Sequence, residues 1–132
     1  MTSDRSGHEA RNDSLVREFI DVFERKDAAL LGPYLADDIA FENYGDPEIH
    51  GRAAVVAMWA GVFRNFAGVK FETVHQAVHG DVVIAEQIHG LGFAGKPLAP
   101  IKNLAVYEIR DGKIAAWRDY TNPQVAKRLL GL

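Results

Sequence analysis

Four polar side chains sit in stretches that otherwise read as apolar strands. In "AEQIHGL", residues 85–91, Gln87 and His89 are two apart and so share one face of a strand. In "KIAAWRDYT", Asp119 shares a face with Ala115 and Trp117; in "DDIAFENY", Asn43 shares one with Ile39 and Phe41. These residue types can move and steer protons. Burial against aromatic walls disfavours the charged form of Asp119 and raises its pKa toward the range where a general base or acid works. The His89 imidazole is a base when neutral and a donor when protonated. Gln87 and Asn43 do not titrate; they can only orient a carbonyl, a water or His89 itself.

Such groups need a scaffold, and the chain has the patterning for one. From Asp13, with Asp13 or Ser14 as cap, the apolar residues Leu15, Val16, Phe19, Ile20 and Phe23 recur at helical steps. "AALLGPYL" predicts a short second helix broken near Gly32–Pro33, and "DDIAFENY" a short strand. "GDPEIHG" reads as a turn, and "RAAVVAMWAGVFRNF" as a third helix with Val55, Met58, Trp59, Val62, Phe63 and Phe66 as its apolar stripe. After Gly68 the chain turns β-branched and aromatic. Four strands are predicted, split by tight-turn sequences at 79–81 and 110–113 and by a longer connection at 94–100. "PQVAKRLLGL" predicts a terminal amphipathic helix with proline at its start.

Helices segregated from an antiparallel meander make an α+β fold, here one domain over residues 13–132. Residues 1–12 hold little to bury and read as a flexible tail. A curved sheet with helices over its concave face leaves a cone, a natural pocket with mostly apolar walls. Phe41, Met58, Trp59, Phe63, Phe93 and Trp117 are the candidate lining residues, core residues first. On the central strand Val83, Ala85, Gln87, His89 and Leu91 go together, and on the next Asn103, Ala105, Tyr107 and Ile109. Both faces of these strands look mixed, so phase alone leaves the concave face open; a dimer packing on the outer face would account for the mixture.

Composition removes several functions. The chain has 132 residues, 48% hydrophobic and 25% charged, with net charge −3 and no basic cluster, which argues against a nucleic-acid or anionic-membrane binder. With no cysteine, disulfides, thiolate metal sites and a cysteine nucleophile are excluded. The N-terminus lacks a signal-peptide core, and no apolar run approaches the roughly 18 residues of a membrane span, so a cytoplasmic protein is expected. His50, His75 and His79 lie near turns or strand ends. On a strand, His75 and His79 would stand about 13 Å apart, too far for one metal. "GLGFAG" is followed by no helix and so is no phosphate loop.

The hairpin "IRDGKIAAWRDY", with "ADDIAFEN" and "HGRAAV" before it, resembles the limonene-1,2-epoxide hydrolase-like branch of the nuclear transport factor 2-like superfamily, which also holds ketosteroid isomerases and SnoaL-type polyketide cyclases. The resemblance spans nearly all of residues 13–132. It implies a cone-shaped, cystatin-like α+β fold, a homodimer, no cofactor and a deep pocket for a hydrophobic small molecule. It also implies roles. Asp119 matches the general base of the hydrolases and the acid–base aspartate of the cyclases. Asn43 matches an asparagine that holds the attacking water, while Phe41 stands where a water-holding tyrosine is expected. Gln87 and His89 replace the hydrolases' arginine and acid aspartate, and Asn103 and Ala105 replace the cyclases' polar pair. The implied chemistry is therefore epoxide opening or proton-shuttling isomerisation, cyclisation or dehydration. Asp119 would be base and His89 acid or second base, with Asn43 and Gln87 positioning; the reading from a different class is a non-catalytic binding or dimerisation module.

Overall fold

Alternating burial along the chain's second half turns the predicted meander into a sheet. The computed structural model describes the backbone of residues 2–132 and the side chains of residues 6–132. Helix α1 (Thr2–Val22) is followed by 3-10 turns at Phe23–Arg25 and Ala28–Tyr34, strands β1 (Leu35–Asn43) and β2 (Ile49–His50), and helix α2 (Arg52–Asn65). Strands β3 (Gly68–His79), β4 (Val82–Gly92), β5 (Ala99–Arg110) and β6 (Lys113–Asp119) then lead to helix α3 (Pro123–Leu129). The sheet order is β2-β1-β6-β5-β4-β3, with every pair antiparallel except β1 with β6. That parallel pairing is not visible in the sequence pattern. It sets Asn43 directly beside Asp119.

The hairpin turns follow their sequences. Asp111 and Gly112 both take positive φ (52° and 72°), the geometry that suits the right-handed twist of β5 and β6. Register shifts interrupt β3 between Thr73 and His75 and the β5–β6 ladder beside Ala115, and such bulges bend a sheet. The second shift changes the predicted facing: Ile114 is buried together with Trp117 and Asp119, while Ala115 is the extra residue. Asn122 caps α3 by accepting from Gln124 and Val125 N–H at 3.0 and 3.2 Å, with proline at the next position.

The N-terminal expectation needs correction. Helix α1 does not begin at Asp13, and residues 8, 9 and 12 are not a loose tail: Glu9 accepts the Gly80 N–H at 2.8 Å and Asn12 donates to the Gly80 carbonyl at 3.0 Å. His8 pairs with Asp81. The anchoring is polar, so a count of apolar side chains misses it. Asp13, expected as a cap, instead binds Arg17 and Gln76 from within the helix.

The core lies between α1, α2 and the concave sheet face. Trp117 is its centre, met edge-on by Phe19 at 5.1 Å and stacked by Trp59 at 5.4 Å. Helix α2 carries two adjacent stripes. Val55, Trp59 and Phe63 are buried in the core, while Met58 and Val62, rotated by about 100°, face a cavity, as does Phe66 just past the helix end.

Candidate active site

The cavity measures about 500 Å³ and opens at the wide end of the fold. Its walls are Phe41 and Ile49 with the α2 residues Met58, Trp59, Val62 and Phe66 on one side, and Phe71, Leu91 and Ile101 from the sheet on the other. The mouth is framed by the 44–47 segment after β1 and by Pro123, Ala126, Lys127 and Leu130 at the C-terminal end. Three of the predicted polar residues, Asn43, His89 and Asp119, line it. So do Phe41, Met58 and Trp59.

Four other predicted members do not line the cavity. Phe63 points from α2 into the core against Phe23 and Trp59, and Trp117 lies beneath the floor. Phe93 follows the end of β4, where strand alternation no longer fixes direction, and its ring pairs with Phe66 at 5.0 Å. Gln87 is fully buried one layer below and reaches the cavity only through His89.

The concave face is settled by burial: Gln87 is 0%, Asn103 3%, Asp119 4% and His89 6% exposed. They form one connected array on β4, β5 and β6. Asp119 Oδ1 accepts from the Trp117 indole N–H at 2.9 Å and from Asn103 Nδ2 at 3.0 Å. Gln87 Oε1 lies 2.7 Å from His89 Nε2 and 3.3 Å from Asn103 Nδ2, and Gln87 Nε2 donates to the Tyr107 hydroxyl at 3.1 Å. Thr121 closes the array by donating to Asn103 Oδ1 at 2.8 Å. Asp119 and His89 therefore do not touch directly; Asn103 stands between them.

Sequence reasoning placed Asn103, Tyr107 and Thr121 outside the chemistry. A signal existed for the first: Asn103 shares the phase of Ala105 and Tyr107 and sits directly across from Gln87. With the arginine absent, no group was expected to hold Asp119 and His89 in one array, and Asn103 does so.

Burial sets the charges. It pushes Asp119 up to about 6, against the opposing pull of the Asn103 and Trp117 hydrogen bonds. Burial also lowers His89 to about 3, so the ring, stacked flat on Phe71 at 3.8 Å, is neutral at pH 7. The Tyr107 hydroxyl is held well above its usual range by burial and then by the nearby Asp119 charge. Two buried polar atoms of cavity residues have no protein partner: Asn43 Oδ1 and Trp59 Nε1. His50 and His75 are exposed and paired with Glu48 and Glu86, and His79 is exposed. Among the described residues no helix is long and apolar enough to cross a membrane.

Comparison with known proteins then places the chain. The family model for the SnoaL-like domain matches residues 16–117, most of its length. The chain belongs to the SnoaL-like family. It is 30% identical over 108 residues to "Epoxide hydrolase EphG" of Mycobacterium tuberculosis, a match covering 80% of this chain and 69% of that one. Among solved structures it is similar to a limonene epoxide hydrolase-like enzyme of M. tuberculosis, with TM-score 0.80, 22% identity, and 92% and 90% of the two chains covered. It is likewise similar to a protein assigned as a SnoaL-like polyketide cyclase from Jannaschia sp. CCS1, with TM-score 0.79, 15% identity and 93% of each chain covered. The expected fold is thus borne out: a curved six-stranded sheet with helices, as in its SnoaL-like neighbours.

Proposed function

We propose that this SnoaL-like protein is a general-base enzyme acting on an apolar small molecule, with Asp119 as the base and an epoxide as the substrate class. One observation carries the reading. Asp119 Oδ1 is clamped by two donors, its carboxyl is held to about 6, and Oδ2, without a protein partner, belongs to a residue of the cavity wall. At pH 7 such a group is ionised and close enough to neutrality to take a proton efficiently. Asn43, its neighbour in the parallel register, offers the unpartnered Oδ1. A water bridging the two acceptors would give one hydrogen to each. Its oxygen then attacks a ring carbon as Asp119 takes the proton, the carbon–oxygen bond breaks, the alkoxide is met by the Trp59 N–H and takes a proton from solvent, and Asp119 releases its own proton to solvent.

His89 takes a different part from the acid considered in the sequence. Burial keeps it neutral, and its Nε2 faces the Gln87 carbonyl oxygen. It serves this chemistry as an acceptor and a flat wall. A second reading, isomerisation or cyclisation, is favoured by the same pKa pattern: Asp119 can remove a proton from carbon and return it without a second acid.

A panel of apolar epoxides and enones separates these readings. Diol formation that is lost in Asp119→Asn supports the first, and enone rearrangement lost in the same variant supports the second. Tight binding of a hydrophobe with no turnover of any member would leave a binding module. We further infer a homodimer through the outer sheet face, where Ile84 and Leu104 are exposed; a monomer in sedimentation equilibrium would overturn it.

A further inference from the structure

The carboxylate of Asp119 imposes a direction on every hydrogen bond in the array. An ionised carboxylate only accepts, so the Asn103 amide must turn its NH2 toward Asp119 Oδ1, 3.0 Å away. Its carbonyl oxygen then faces Thr121, whose hydroxyl donates to it at 2.8 Å. The second Asn103 hydrogen points between Gln87 and His89 Nε2, each 3.3 Å away, and the 2.7 Å contact between those two groups requires one of them to donate to the other. A reversed Gln87 would set two NH2 groups against each other. With its oxygen toward Asn103, Gln87 must take a hydrogen from His89 Nε2 at 2.7 Å, while its own NH2 donates to Tyr107.

We infer that Asn103 is a positioning residue that passes the acceptor polarity of Asp119 across three strands and fixes His89 as its Nε2–H tautomer. The remaining ring nitrogen, Nδ1, has no hydrogen bond to the protein and is left as a lone pair on a residue of the cavity wall. Asn103 itself does not line the cavity. The polar end of the site thus presents acceptors: Asp119 Oδ2, Asn43 Oδ1 and His89 Nδ1. Beside the single unpartnered Trp59 N–H, these three acceptors favour ligands that bring hydroxyl or water hydrogens to that end and disfavour those ending in a carboxylate. This role deepens the proposed chemistry and rests on it only where rates are measured.

The decisive measurement needs no substrate. In 15N-labelled wild-type protein at pH 7, long-range ring correlations of His89 are expected to show the Nε2–H tautomer; the Nδ1–H pattern would overturn the inference. In Asn103→Leu, the ring is expected to become a mixture of tautomers. The Asp119 carboxyl midpoint, read by 13C shift, should rise above about 6, because a donor to the charged form is gone. A folded Asn103→Leu with both readouts unchanged refutes the role. Should that variant not fold, Asn103→Asp keeps the shape and replaces the donor by a second acid, which should raise the Asp119 midpoint further; no rise counts against the relay. If both variants fail to fold, the wild-type tautomer alone decides. Where turnover is found, the acid limb of kcat/KM in the Asn103 variants should move with the NMR midpoint. Absence of turnover removes the base reading and leaves the tautomer result standing, so the two fail separately.

Discussion

Two polar clusters, one part-buried and one buried, lie at opposite ends of β4. At the narrow end, Glu9 and Asn12 on α1 bind the backbone of the β3–β4 turn through Gly80. At the wide end, Asp119, Asn103, Gln87 and His89 line up across β4, β5 and β6. Polarity is common to both, and burial is deeper at the second. At the narrow end both the N–H and the carbonyl of Gly80 are answered, and the cluster ties the helix to the turn. At the wide end Asn43 Oδ1 and Trp59 Nε1, atoms of cavity-wall residues, are left unused, and burial displaces Asp119, His89 and Tyr107 from their ordinary pKa. Unused hydrogen-bonding capacity beside an open volume, more than buried polarity itself, marks the place for chemistry.

The contrast can be broken in several ways. The largest effect is expected from Asp119→Asn, which should lower kcat/KM by about 10³-fold while the fold persists. In the wild type, kcat/KM should rise as pH increases through about 6 and then level off, since the base must be ionised. A flat profile from pH 5 to 8 would remove Asp119 from that role.

The same substitution should stabilise the protein at pH 7 by ~1–3 kcal/mol in urea melts, because it removes a buried charge. The pH dependence follows in sign. Asp119 has a folded pKa raised to about 6, so its contribution is fully present below about 4 and lost as pH rises through about 6. His89 has a folded pKa lowered to about 3, so its contribution is present above about 6.5 and lost as pH falls toward about 3. Between about pH 4 and 6 the two slopes oppose each other. Asp119→Asn leaves the His89 slope alone, so its stability should fall over that window where the wild type changes little.

At the other end, Asn12→Ala should cost about 1–2 kcal/mol in stability and leave kcat/KM unchanged. A loss of activity at constant stability would erase the distinction between the clusters. The smallest effect is expected for Gly80→Ala. A Cβ there meets nothing within 4 Å, so only the positive φ of 60° resists it, at about 1 kcal/mol.

The sequence carried the meander and which residues of its central strands share a face, because a period of two is hard to misread; that Val83, Ala85, Gln87 and His89 all turn inward is decided only by burial. Asp119 and Trp117 were legible for the same reason. Ile114 was not, because the bulge at Ala115 changes the phase locally. Asn103 sat on the right face, yet the long connection between β4 and β5 leaves their register open to any reading from sequence, so its partner could not be named. On α2, Phe63 and Met58 belong to one apolar arc, and only packing divides that arc into core and cavity. The docking of the first turns of α1 rests on bonds to backbone, which leave no hydrophobic trace.

The parallel pairing of β1 with β6 joins parts of the site that lie far apart along the chain. Asn43 belongs to the chain's first strand and Asp119 to its last, and they become neighbours only when that pairing closes. Helix α2 and the whole β3–β5 meander separate them along the chain. A folding intermediate holding only β3, β4 and β5 would carry Gln87, His89 and Asn103 but no carboxylate to orient them. Asp119 reaches Asn103 when β6 folds back on β5, whereas Asn43 reaches Asp119 only through the β1–β6 pairing, so these side chains come together only in the complete sheet.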